Sequence, residues 1–90
     1  VIIIDEILHK EENKLKTVLV SLPSVKKVRE FNAKIFSLEG NFDLGSGRYI
    51  VDARSIMGIF SLDLSKPLTL TINTEDVDGA IAALDEFIIA

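Results

Sequence analysis

Apolar residues recur along this 90-residue chain in two rhythms, and the rhythm changes several times. In residues 1–15 (VIIIDEILHKEENKL), Ile3, Ile4, Ile7 and Leu8 fit one helical face ahead of a polar run from His9 to Lys14. That pattern suits either a short amphipathic helix or a strand-like arm. Residues 17–22 (TVLVSL) alternate and include the β-branched Thr17, Val18 and Val20, which predicts a strand, and Pro23-Ser24 ends it. From Val25 the period becomes three to four: Val25, Val28, Phe31 or Asn32, Ile35, Phe36 and Leu38 form a stripe, with Gly40 as the helix stop. A hairpin pattern follows, with Phe42 and Leu44 on one strand, a Gly45-Ser46-Gly47 turn, and Tyr49, Val51 and Ala53 on the next.

Ser55 then precedes the apolar run IMGIFSL, which predicts a two-turn helix with Ser55 as its cap, and Asp63 to Pro67 reads as a loop. Residues 68–73 (LTLTIN) alternate strictly and predict a strand. Thr74 or Glu75 opens a last helix carried by Val77, Ile81, Leu84 and Ile88 and widened by Ala80, Ala83 and Phe87. From Glu75 onward there are five acids and no bases, several of them placed where a helix N-terminus favours negative charge. The resulting order, β-α-β-β-α-β-α over residues 16–90, predicts an α+β domain in which one antiparallel sheet is covered on one face by helices. Residues 1–15 are set apart as an N-terminal extension. Lys10-Glu11-Glu12 can be encoded by a ribosome-binding sequence, and if Leu15 is a TTG start, residues 1–14 are a translated leader.

Composition narrows the function. Fourteen acids against ten bases give a net charge of -4, without the basic surplus of a general nucleic-acid binder. With no cysteine, disulfides, thiolate metal sites and thiol catalysis are excluded. A single histidine, His9, leaves no material for a histidine metal site or a catalytic triad, so neither a metal nor any cofactor is expected. His9 itself lies among Lys10, Glu11 and Glu12 and reads as solvated. The apolar run Val1–Ile4 is far short of the roughly 20 residues of a membrane span, and Asp5-Glu6 breaks any signal-peptide pattern. A cytoplasmic, non-catalytic protein without membrane insertion is the expectation.

One segment asks for more than a structural explanation. Ile56, Met57, Ile59 and Phe60 cannot all face a core from a helix of two turns. Some of Ile56, Met57 and Phe60 must therefore be exposed, as a patch suited to a protein partner. Ser55 at its cap is a favourable place for a phosphate, near backbone N–H groups. The acid pairs Asp76/Asp78 and Asp5/Glu6 need no such reading, because helix capping and solvation account for them.

On Asp52–Leu62 (DARSIMGIFSL) the chain resembles the histidine-containing phosphocarrier (HPr) family of the bacterial phosphoenolpyruvate-dependent sugar phosphotransferase system, whose members carry a similar Lys/Arg-Ser-Ile-Met-Gly-x-x-Ser-Leu string. The likeness continues more loosely over residues 16–90. It implies an HPr-like open-faced β-sandwich, a four-stranded antiparallel sheet covered on one face by three helices. The family's regulatory serine falls on Ser55, with Ile56, Met57 and Phe60 on the docking patch beside it. Its carrier motif, His-x-Arg-Pro, has no counterpart. Read without gaps the stretch is Ser24-Val25-Lys26-Lys27, so Ser24 holds a degenerate phosphocarrier position, and a phosphoserine ester lacks the lability of a phosphohistidine.

What the resemblance implies is an adaptor or regulatory module switched at Ser55, docking proteins through Arg54, Ile56, Met57, Phe60, Lys26 and Lys27. Arg29 extends the basic face. Its expected partners are a serine kinase, an Enzyme I-like protein or a transcription regulator, and not nucleic acid. The alternatives are a sugar-transport phosphocarrier using a non-standard residue and a non-catalytic oligomerising domain.

Overall fold

The computed structural model describes residues 15–90, so the expectations for residues 1–14 lie outside the described part. Four strands run β1 (Leu15–Val20), β2 (Asn41–Ser46), β3 (Tyr49–Asp52) and β4 (Leu68–Asn73). There are three helices, α1 (Val25–Phe36), α2 (Ile56–Phe60) and α3 (Val77–Leu84), and a 3-10 turn follows α3 at Asp85–Phe87. The sheet is antiparallel throughout, in the order β1-β4-β2-β3.

Strict alternation explains the layering. Val18, Leu70 and Leu44 form one cross-strand row that continues to Val51, and Val20 with Leu68 and Phe42 with Ile72 form parallel rows beside it. These side chains all turn to one face, where they meet Val28, Phe31 and Ile35 of α1, Ile59 of α2, Ala80 and Leu84 of α3, and Phe87. Phe31 and Phe87 touch edge to face with ring centroids 5.4 Å apart. The opposite face carries Thr17, Leu19, Thr69, Asp43 and Ile50, all exposed. Among the described residues the sheet is covered on one side and bare on the other.

Several local expectations shift. β1 starts at Leu15 and ends at Val20, whereas the pattern placed it at 17–22. Leu22 is buried all the same, as part of the connection to α1. β2 continues through Ser46, so the hairpin turn falls at Gly47-Arg48 instead of Gly45-Ser46-Gly47. Val25 and Phe36, assigned to the buried stripe of α1, are 54% and 62% exposed, at the first and last positions of the helix. Tyr49 is likewise exposed, at the tip of the hairpin. α3 opens at Val77, two to three residues late, since Asp76 caps it by accepting the Gly79 N–H at 2.9 Å. It ends at Leu84, so Ile88 leaves the helical stripe and bridges to Val20 beside the sheet.

Candidate functional site

Ser24 and Ser55 both sit where the chain leaves extended backbone and enters a helix, and both act as caps. Ser24 Oγ accepts the Lys27 N–H at 3.1 Å. Ser55 Oγ accepts the Gly58 N–H at 3.1 Å. Each bond satisfies one of the orphan donors of a first helical turn. Gly58 also explains part of the Ser-Ile-Met-Gly string. A Cβ there would lie 3.0 Å from Ser55 Oγ and 3.1 Å from Val51 Cβ, so glycine lets α2 lie directly on β3 while its N–H reaches the cap.

The short helix presents the division of faces that its composition requires. Ile59 is fully buried and Ile56 is half-buried against the core, whereas Met57 is 78% and Phe60 39% exposed. Ser55 is exposed beside them.

What holds this segment is a set of polar contacts from elements distant in sequence. Asn32 Nδ2, on α1, donates to the carbonyls of Ala53 and Arg54, each at 3.1 Å. Arg54 in turn donates from its two terminal guanidinium nitrogens to the Leu38 carbonyl at 2.8 Å and the Gly40 carbonyl at 2.9 Å, with its guanidinium carbon 5.7 Å from the centre of the Phe42 ring. Asp52 accepts the Arg54 N–H at 2.8 Å through Oδ1, and its carbonyl accepts the Ser55 N–H at 2.9 Å. The residues before Ser55 are thus tied to α1, to the loop after it and to β3. Arg54 is occupied as a clip within the fold.

One of the cations expected on the basic face of α1 is engaged within the fold. Lys27 lies over the Phe87 ring, with Nζ 5.7 Å from its centre, on the side of the C-terminal turn. Lys26 and Arg29 are exposed. Ser24, Lys26 and Lys27 belong to the start of α1, and Ser24 is eight residues from Asn32, about 12 Å along a helix axis. Strand pairing explains the arrangement. α1 starts from the end of the sheet where Val20 pairs with Leu68, whereas Ser55 follows the end of β3, beside the start of β2. Asn32 is the residue that pattern reading left undecided, as an alternative to Phe31 in the apolar stripe. A polar side chain at a stripe position was the available signal.

Asp63, in the loop after α2, holds Ser65: Oδ1 accepts the Ser65 hydroxyl at 2.6 Å and its N–H at 3.1 Å. Those two bonds, the hydroxyl first, keep the Asp63 carboxyl below the usual carboxylate range, with a small contribution from Lys66. Among the described residues there is no cluster of three or more His, Asp or Glu side chains able to hold a metal, and no helix is long and apolar enough to cross a membrane.

A four-stranded antiparallel sheet with three helices on one face, including a serine-capped short helix on the edge hairpin, defines an HPr-type open-faced sandwich. The family model PTS-HPr, described as the PTS HPr component phosphorylation site, matches residues 23–90, and the chain belongs to that phosphocarrier family of the phosphotransferase system. Among solved structures it is similar to HPr-C-His from Thermoanaerobacter tengcongensis, with 24% identity over 81% of this chain and 88% of that one, and a TM-score of 0.67. It is also similar to a phosphocarrier protein HPr from Bacillus anthracis str. Ames, with 26% identity over 83% of this chain and 95% of that one, and a TM-score of 0.65. No curated protein matches it.

Proposed function

We propose that this chain is a non-catalytic regulatory adaptor of the phosphotransferase system, working in the cytoplasm, with Ser55 as its phosphorylation switch and the exposed side of α2 as its docking surface. The carrying observation is the exposed Ser55 hydroxyl at the cap of a helix whose Met57 side chain is 78% exposed. A kinase would transfer the γ-phosphoryl group of ATP to Ser55 Oγ, with loss of the hydroxyl proton and release of ADP. The product places between one and two negative charges beside Met57 and Phe60. A partner that buries those side chains would then also face that negative charge, so phosphorylation changes which partner docks. Lys26, Arg29 and Lys34 are the exposed cations available to an acidic partner on α1, while Arg54 and Lys27 contribute mainly by holding the fold.

The residue capping α1 is Ser24, and residues 15–90 contain no histidine. That inventory supports an adaptor over a carrier, because a phosphoserine ester does not return its phosphate readily. Incubation of the full chain with ATP and an HPr-type serine kinase tests the reading by mass spectrometry. A single phosphate on Ser55, absent from Ser55→Ala, is expected. No incorporation, or incorporation that survives Ser55→Ala, overturns the switch. In a parallel arm with Enzyme I and phosphoenolpyruvate, acid-labile phosphate on the chain would establish a carrier instead.

A further inference from the structure

The two edges of the sheet are treated differently by the fold. β1 is covered by the chain end: Ser21 N–H donates to the Phe87 carbonyl at 2.9 Å, Ile89 N–H to the Leu19 carbonyl at 2.8 Å and Leu19 N–H to the Ala90 carbonyl at 3.3 Å. Among the described residues β3, at the other edge, pairs only with β2. Its middle is Tyr49-Ile50-Val51, with Ile50 72% and Tyr49 71% exposed. An open edge of this composition is a template for another strand.

We infer that β3 is a self-recognition edge, pairing antiparallel with β3 of a second copy of this chain about a two-fold axis through Ile50. The register follows from hydrogen-bond parity. The Gly47-Arg48 turn closes on the Ser46–Tyr49 pair, and Ala53 N–H donates to the Phe42 carbonyl at 2.8 Å. Tyr49, Val51 and Ala53 therefore turn their backbone polar groups toward β2, and Ile50 and Asp52 turn theirs outward. In an antiparallel pair centred on Ile50, the outward groups of the two copies meet one another. The Ile50 N–H and carbonyl exchange bonds with Ile50 of the other copy.

Charge selects the same register. The segment reads Arg48-Tyr49-Ile50-Val51-Asp52, so the two-fold sets Arg48 of each copy against Asp52 of the other. Directly opposed unlike charges favour a strand pair, and like charges oppose it. A parallel pairing in the same alignment would oppose Arg48 to Arg48 and Asp52 to Asp52. The contact is isologous and closes on itself, as dimers of one chain do. The two sheets join into one of eight strands, with both α2 helices on the same side of the seam. The paired edge alone falls below the roughly 1,200 Å² of a standard stable interface, so the dimer is a weak one, populated at high concentration.

Sedimentation equilibrium of the full chain from micromolar to millimolar concentration is the test. Concentration-dependent dimerisation is expected, and the Ile50 amide should exchange more slowly with solvent as the dimer fills. Arg48→Asp and Asp52→Arg should each weaken the dimer about tenfold, since two symmetry-related pairs are lost, and the combined exchange should restore it. Asp52→Asn keeps the Oδ1 acceptor for Arg54 N–H and so separates loss of charge from loss of the local turn. A chain that stays monomeric throughout, or a dimer indifferent to both charge reversals, overturns the proposal. A dimer that forms without Ile50 protection assigns the contact to another surface and overturns it as well.

Discussion

The side-chain amide of Asn32 donates to the carbonyl of Arg54 at 3.1 Å, and so fixes to α1 the residue directly before Ser55. The same nitrogen holds the Ala53 carbonyl, also at 3.1 Å. Two part-buried acceptors thus depend on one amide group. In Asn32→Ala both would lose their partner, which costs about 1–3 kcal/mol. Urea denaturation should show that loss, and Asn32→Asp should not rescue it, because a carboxylate cannot donate to a carbonyl. If Ser55 is the switch, its phosphorylation should slow in the same variant, since the cap is no longer held.

Met57 and Ile59, two residues apart on one short helix, should behave oppositely. Ile59→Ala empties a fully buried position and should cost about 2–5 kcal/mol. Met57→Ala removes a largely exposed side chain and should change stability by no more than about 0.5 kcal/mol. Partner binding should follow the reverse order: weakened by Met57→Ala, and reduced by Ile59→Ala only as far as the fold is lost. Thermal unfolding beside a binding titration separates the two effects.

Gly40 closes the connection from α1 to β2 with φ +110, and a Cβ there would lie 2.6 Å from the Asn73 carbonyl oxygen and 2.6 Å from Thr74 Cβ. Neither neighbour is free to move, because Asn73 is in β4 and Thr74 Oγ1 donates to the Glu39 carbonyl at 2.8 Å. Gly40→Ala should therefore destabilise by more than about 1 kcal/mol, through backbone strain and the clash together. Denaturant unfolding measures it, and Gly47→Ala, where nothing lies within 4 Å, isolates the backbone part.

The Asp63–Ser65 contact carries a pH dependence of definite sign. The folded carboxyl titrates lower than in the unfolded chain, so its contribution is present above the unfolded value and is lost as pH falls through the folded one. NMR titration should find the Asp63 midpoint below the ordinary value of about 3.9 and find it raised in Ser65→Ala. Asp63 is fully exposed, so the effect on global stability should be small and should shrink further with salt.

Much of the fold was legible in short-range pattern. The strict alternation of residues 68–73 predicted β4 to the residue, and the spacing from Val25 predicted α1 with its buried Val28 and Ile35, leaving Phe31 or Asn32 open between them. Ser55 announced itself as a cap because serine competes well for a first-turn N–H, and the crowding of Ile56, Met57, Ile59 and Phe60 required an exposed side before any contact was known. Element ends were less legible. Asp76 outcompeted Thr74 and Glu75 as a cap, and Gly47-Arg48 took the turn from Gly45, since capping and pairing are settled by geometry that neighbouring polar residues could equally have offered.

By itself, then, the sequence determined the order of elements, the residues able to face a core, the lack of cysteine and the absence of histidine after residue 9. These depend on residue type and on spacings of two to four positions. Only the tertiary structure decided which cations remain free, because Arg54 finds the Leu38 and Gly40 carbonyls and Lys27 finds Phe87 across gaps that no local period encodes. It alone also decided that, among the described residues, β1 is covered by residues 87–90 while β3 stays open. Edge and centre differ by which strands lie beside them, and strand order is a property of the folded chain as a whole.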